Sequence, residues 1–156
     1  MAYYDELEKF GNRIALIDEY GNKMTYSEMQ NICADIGKYV KRGVVFCFCE
    51  NKIGSVSGYI AFLQNKVVPV LIDKNMDRTL VSNLIRTYNP NYLYFPETMK
   101  EEFGYAECLY ENNGYMLCDM GRKEAYELYD ELGLLLTTSG STGIPKLFRQ
   151  SYHNIQ

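Results

Sequence analysis

The sequence predicts an α/β fold: a mostly parallel central sheet flanked by helices, with antiparallel hairpins at its periphery. Three observations lead there. Short continuous apolar runs, Val44–Cys49, Val67–Ile72 and Leu132–Leu136, have strand length and no polar face, the pattern of strands covered on both sides. Between the first two, and again after the second, stretches of about a dozen residues carry apolar side chains at helical intervals. Such alternation marks βαβ units joined by right-handed crossovers.

Taken in order, Asp5–Phe10 reads as a short helical turn and Ile14–Ile17 as a strand. Glu19–Asn22 supplies turn chemistry and Lys23–Thr25 returns as a second strand, making a β-hairpin. Thr25 and Glu28 have capping-box spacing and open a helix. Met29, Ile32, Cys33, Ile36 and Val40 share its apolar face, Lys38, Lys41 and Arg42 suit its carboxyl end, and Gly43 is read as its stop. After Val44–Cys49, a second helix is marked by Val56, Tyr59, Ile60 and Leu63, with Gly54 and Gly58 permitting close packing. In Val67–Ile72, Pro69 argues that the first residues lie at an edge or ahead of the ladder. Asp77 caps a third helix carrying Leu80, Val81, Leu84, Ile85 and Tyr88, which Asn89-Pro90 ends. Tyr92–Phe95 is a strand stopped by Pro96. Cys108–Tyr110 and Tyr115–Cys118 flank Asn112-Asn113-Gly114, a hairpin turn, and this part is read as antiparallel and peripheral. Arg122–Tyr129 reads as a short charged helix leading into the Leu132 strand.

Bulk properties bound the rest. The 156 residues suit one α/β domain spanning the chain, with a core of its own. A net charge of −4 offers no basic footprint for nucleic acid. No apolar run approaches the ~18 residues of a membrane span. The start, MAYYDELEKF, lacks the layout of a secretory signal. Five cysteines without framework spacing fit reduced thiols, so the expected location is cytoplasmic.

Chemistry concentrates in Gly133–Lys146, GLLLTTSGSTGIPK. A buried strand there delivers small, hydroxylated and flexible residues. Gly140 and Gly143 allow close approach of the backbone to a ligand, and successive N–H groups in such a turn form an anion-binding concavity. Thr137, Thr138, Ser139, Ser141 and Thr142 add hydroxyl donors, and Lys146 adds positive charge. A polyphosphate uses all three kinds of group. The same composition is also that of ordinary surface loops. The GxxxxGK[ST] loop does not fit, because Pro145 stands where its second glycine belongs and Leu147 where its Ser/Thr belongs.

Thr138-Ser139-Gly140-Ser141-Thr142-Gly143-x-Pro145-Lys146, following an aliphatic strand, resembles the phosphate-binding loop of the adenylate-forming enzymes. That superfamily includes acyl-CoA synthetases, luciferase-like ligases and nonribosomal peptide adenylation domains. Met24–Met29 is similar to the family's "T-Y-x-E-L" entry into a helix, and Leu63–Asp73 to its helix-to-strand stretch ending at an aspartate. Asn65-Lys66 replaces the usual Ala-Gly there, and Pro69 comes earlier than the family's proline.

The resemblance implies that a carboxylic acid attacks the α-phosphate of ATP, giving an acyl-adenylate and pyrophosphate, and that CoA or a carrier-protein thiol then takes the acyl group. It implies that Thr138, Ser139, Gly140, Ser141, Thr142, Gly143 and Lys146 hold the ATP phosphates, with Mg²⁺ present. The family's later segments, including its magnesium-binding glutamate and its late catalytic lysine, have no counterpart among the 156 residues. The chain is therefore expected to be the amino-terminal segment of a longer synthetase, inactive alone and able to self-associate through exposed sheet edges. A non-catalytic phosphate- or nucleotide-binding module, or a subunit complementing a partner chain, is the alternative.

Other residues carry less. Cys47 and Cys49 share a strand face but have no metal-ligand companions, and are read as core. Ser151 and Tyr152 fall where the family places a serine and a histidine, leaving His153, the sole histidine, one position late. It is read as a solvent-facing residue at a helix start. Asp73 ends a predicted strand, where ligands sit in open α/β sheets, although local capping explains it equally. Tyr92, Tyr94, Tyr105 and Tyr115 are strand aromatics, and no catalytic residue is assigned.

Overall fold

The computed structural model of the chain describes residues 2–122, 127–138 and 145–156. Two short 3-10 turns, Tyr3–Asp5 and Leu7–Phe10, stand where a helical turn is expected. Then β1 (Ile14–Ile17) pairs antiparallel with β2 (Lys23–Thr25) as a separate hairpin. Asp18 closes it, accepting from the Tyr20 and Asn22 N–H groups at 3.0 and 2.8 Å.

The capping box is present. The Thr25 hydroxyl accepts from the Glu28 N–H at 3.2 Å, and the Glu28 carboxylate accepts from the Thr25 N–H at 2.7 Å. It opens α1 (Tyr26–Gly37), which buries Met29, Ile32, Cys33 and Ile36. The helix stops at Gly37, six residues before the expected Gly43. Its last turn tightens through Lys38 N–H to Asp35 O and Tyr39 N–H to Ile36 O, at 3.1 and 2.9 Å. The freed segment is drawn to the sheet, where Lys41 N–H donates to the Tyr92 hydroxyl at 3.0 Å. Val40 is thus beyond the helix whose face it was expected to complete.

A seven-stranded sheet follows, built from β3 (Val44–Cys49), β4 (Val68–Asp73), β5 (Tyr92–Pro96), β6 (Glu107–Asn112), β7 (Tyr115–Asp119), β8 (Leu132–Thr138) and β9 (Lys146–Ser151). Its order is β6-β7-β5-β3-β4-β8-β9. The central four, β5, β3, β4 and β8, run parallel, while β7 and β9 are antiparallel to their neighbours. Helix α2 (Ile53–Gln64) joins β3 to β4, and α3 (Arg78–Tyr88) joins β4 to β5.

Both faces of the sheet are covered, which is why β3 has no polar side. Val45 and Cys47 pack with α1 and α2, whereas Val44, Phe46 and Phe48 pack with Val81 and Leu84 of α3. Asp77 caps α3, accepting from Thr79 and Leu80 N–H, and Asn89 ends it in the left-handed region at φ 41°.

Pro69 lies inside the sheet rather than at its edge. Val68 N–H donates toward β3, at Gly43 O, so the missing N–H of Pro69 faces β8, whose pairing with β4 begins only at Val70. The expectation that Pro69 precedes a ladder holds for that side.

The Asn113-Gly114 turn has positive φ at both residues, 44° and 75°, and makes β6–β7 a tight hairpin on the sheet edge. Residues 123–126 of the expected charged helix lie outside the described residues, and its described end, Glu127–Tyr129, is irregular. Strand β9, not anticipated from the sequence, is the other edge. After it, Ser151 caps α4 (Tyr152–Ile155), accepting from Asn154 N–H at 3.3 Å.

Candidate functional site

Strands β3 and β4 are neighbours, yet their chains leave the sheet in opposite directions. Helix α2 packs on one face and α3 on the other. Diverging connections leave a crevice beyond the strands' carboxyl ends, the topological switch point at which open α/β sheets bind ligands. A cleft of about 570 Å³ occupies it, lined by Glu50 and Asn51 after β3, Asp73, Lys74 and Asn75 at the end of β4, and Thr137 of β8, among others.

Glu50 is the electrostatic centre of this cleft. Its carboxylate, 10% exposed, meets Lys74 Nζ at 2.6 Å and Lys52 Nζ at 3.6 Å. Asp73 accepts from the Asn75 N–H at 2.8 Å, folding the chain after β4 back over the opening. The capping that competes with a ligand role is therefore an Asx turn, and Asp77 is the residue that caps α3. Lys74 N–H donates to Cys49 O at 3.2 Å, and the Thr137 hydroxyl donates to Leu71 O at 2.8 Å, pinning the end of β8 against β4.

Thr138 and Lys146 are directly opposed in the β8–β9 ladder, and the Thr138 hydroxyl donates to Lys146 O at 3.4 Å. The glycine-rich segment therefore leaves and re-enters the sheet at one closed pair. That pair adjoins the strand end lining the cleft. Opposed residues in an antiparallel pair project to the same face, so the Lys146 side chain, which is exposed, shares a face with Thr138. Pro145 is buried beside them. Of the predicted phosphate-binding residues, Thr138 and Lys146 are thus brought together, while Ser139, Gly140, Ser141, Thr142 and Gly143 lie outside the described residues.

Glu50, Asn51 and Lys74 were missed from the sequence. Their signal was position: they follow immediately on the apolar runs ending at Cys49 and Ile72-Asp73. Cys47 is core, as expected, whereas Cys49 is half-buried and lines the cleft; burial raises both thiol pKa values. Among the described residues no group of three His, Cys, Asp or Glu side chains is placed to hold a metal. His153 is exposed in the first turn of α4, next to Ser151, which pairs with Leu132 at the opposite end of β8 from the loop. Leu132 is four to five residues from Leu136 and Thr137, which line the cleft, roughly 13–17 Å along the strand. Tyr152 is buried there, and burial raises its pKa against the opposing effect of Arg42.

No protein-family model matches the chain. It is 24% identical, over 97% of its length, to 4% of a polyketide synthase-nonribosomal peptide synthetase from Aspergillus clavatus. Among solved structures it resembles O-succinylbenzoate coenzyme A synthetase (MenE) from Bacillus subtilis in complex with AMP, with a TM-score of 0.70 and 19% identity over 97% of this chain and 42% of that one. It resembles the luciferase-like enzyme of the mealworm Zophobas morio with a TM-score of 0.67 and 17% identity, covering 99% of this chain and 44% of that one. The Klebsiella oxytoca NpsA N-terminal subdomain in complex with 3-hydroxyanthranilyl-AMSN gives a TM-score of 0.63 and 19% identity, covering 95% and 39% respectively. These structures belong to the adenylate-forming superfamily, and the fold described above is that of their amino-terminal part. The chain spans 39–44% of the length of these solved structures. No helix among the described residues is long and apolar enough to cross a membrane.

Proposed function

We propose that residues 1–156 form one α/β unit at the amino-terminal end of an ATP-dependent adenylate-forming ligase. The reaction is activation of a carboxylic acid as its acyl adenylate, with transfer to CoA or another thiol. The observation that supports this reading is the closed Thr138–Lys146 pair, at the end of a strand that lines a cleft beyond the carboxyl ends of parallel strands; the sequence between the two residues is rich in glycine and hydroxyl side chains.

The residues present suit a polyphosphate. Lys146 supplies charge at the segment's base, Thr138, Ser139, Ser141 and Thr142 supply hydroxyl donors, and Gly140 and Gly143 permit close backbone approach. Pro145 restricts the closing turn through its fixed φ. Such groups hold the β- and γ-phosphates so that the acid meets the α-phosphate in line, and they stabilise negative charge on departing pyrophosphate. Magnesium, which keeps much of its water and binds substrate phosphates, would arrive with ATP. No described residue is assigned to it. Cysteine usage supports assignment to the cytoplasm.

The test is pyrophosphate exchange by the whole protein against a panel of carboxylic acids. Exchange dependent on one acid, and lost in Lys146→Ala and Gly143→Val variants that remain folded, is the expected result. Wild-type exchange in both variants sinks the loop assignment. Saturable ATP binding without exchange for any acid favours a binding module instead.

A further inference from the structure

Cys108 and Cys118 are unused by the cleft, and the fold places them directly opposite one another. Strand β6 pairs antiparallel with β7 in the register Cys108↔Cys118, held on one side by Glu107↔Asp119 and on the other, past a bulge, by Tyr110↔Leu117. Opposed residues in an antiparallel pair project to the same face, with Cα atoms about 4.5–5.5 Å apart. A disulfide requires Cα atoms about 4.4–6.8 Å apart. The register thus brings the two within the range a disulfide requires. The other cysteines are not so placed: Cys33 and Cys47 are enclosed in the opposite core, and Cys49 is an i,i+2 neighbour of Cys47 along one strand.

We propose that Cys108 and Cys118 are a dithiol pair that closes into a cross-strand disulfide on reaction with a low-molecular-weight disulfide such as oxidised glutathione. Accessibility sets the order of events. Cys108 is exposed on the edge strand, while Cys118 is 2% exposed. Cys108, as thiolate, attacks one glutathione sulfur, forming a mixed disulfide and releasing glutathione thiolate, which takes up the proton Cys108 gave. Cys118 then loses its proton and attacks the Cys108 sulfur, releasing the second glutathione. The balance is two protein thiols and one oxidised glutathione giving one protein disulfide and two reduced glutathiones.

The second step is the slow one. In the free dithiol, burial first, then the neighbouring Cys108 thiol and the Glu111 carboxylate, push the Cys118 thiol up to about 12. Once Cys108 is in the mixed disulfide its own contribution is gone, but burial, the largest cause, remains and leaves little Cys118 thiolate at neutral pH. A mixed disulfide on Cys108 should therefore be seen before closure. The closed bond would staple the outermost hairpin of the sheet, the element that ends it on this side.

The experiment is incubation of the native chain with oxidised glutathione, followed by mass measurement and non-reducing peptide mapping. The expected product is lower in mass by about 2 Da, joins the Cys108 and Cys118 peptides, and returns to the starting mass on reduction. Native Cys118→Ala should stop at a glutathione adduct, heavier by about 305 Da, and Cys108→Ser should give neither product. In the wild-type chain, an adduct on Cys108 that never closes, or a −2 Da product joining any other cysteines, overturns the proposal. Cys108→Ser is on the exposed edge, so its result does not depend on tolerance of a core substitution. None of these readouts involves ATP.

Discussion

Arg42 donates from Nη1 to the Tyr152 hydroxyl at 3.1 Å and to Lys66 O at 2.8 Å, and from Nη2 to Tyr129 O at 2.7 Å. One guanidinium thus joins the entry to β3, the turn after α2, the approach to β8 and the first residue of α4. Lys66 completes the cluster, its Nζ lying 4.3 Å from the Tyr152 ring centroid. The arrangement fixes the root of the β8–β9 hairpin, whose far end carries the candidate phosphate loop.

Arg42→Ala should lower stability by about 1–2 kcal/mol, since charge-assisted hydrogen bonds to the part-buried Tyr152 hydroxyl and Leu132 O, and to the exposed carbonyls of Lys66 and Tyr129, are lost together. Arg42→Lys should recover less than half, because an ammonium cannot reproduce the planar fork. Urea unfolding monitored by circular dichroism measures both. An Arg42→Ala loss below a few tenths of a kcal/mol would show that the clamp is incidental.

Gly58→Ala should destabilise despite raising helix propensity. A Cβ on Gly58 would lie 2.1 Å from Tyr94 Cε1, and Tyr94 is held by its own hydroxyl donating to Gly54 O at 2.6 Å. Propensity contributes about 1 kcal/mol in favour of alanine, whereas overpacking costs about 1–3 kcal/mol. The expected net loss is up to about 2 kcal/mol, with the same substitution combined with Tyr94→Leu partly relieved. Thermal unfolding of the two variants decides it.

Stability should fall in acid through identifiable carboxylates. Glu28 is held below its ordinary pKa by the Thr25 N–H and hydroxyl, Asp18 by Asn22 and its turn N–H groups, and Asp35 chiefly by Lys38. Each lowered value means that the folded state binds the proton more weakly than the unfolded one. Their contribution is therefore complete above the ordinary carboxylate range and disappears as pH falls through the lowered values. Unfolding midpoints should be level above about pH 5 and fall below about pH 4. In Thr25→Val, the Glu28 titration followed by NMR should move upward, and an unmoved titration would remove the capping box as its cause.

Lys146→Ala should weaken binding of Mg²⁺–ATP to the chain by about tenfold or more, the effect of deleting one charged contact to phosphate. Lys52→Ala, which removes the longer of the two Glu50 contacts, should change it far less. Isothermal titration calorimetry compares them. Equal losses in the two variants would point to general electrostatic attraction rather than a phosphate site at Lys146.

The sequence by itself determined the elements whose cause is local. The Thr25–Glu28 box, the Asp77 cap, the Asn113-Gly114 turn and the unbroken apolar run of β3 each follow from side chains a few residues apart, and the structure reproduces them. The phosphate-loop reading was also local, resting on the residue types between Thr138 and Lys146. Contacts distant in sequence decided the rest. Helix α1 ends at Gly37 because the segment after it is held by Tyr92 and by Tyr152, 51 and 110 positions away from the residues they bind. Pro69 is tolerated inside the sheet because of where β8 begins to pair. The cleft exists because α2 and α3 leave neighbouring strands toward opposite faces, which places Glu50, Lys74 and Thr137 around one space. Local propensity can specify a strand or a cap, but only the packing of the whole sheet sets which strand ends become neighbours, and so which side chains share a site.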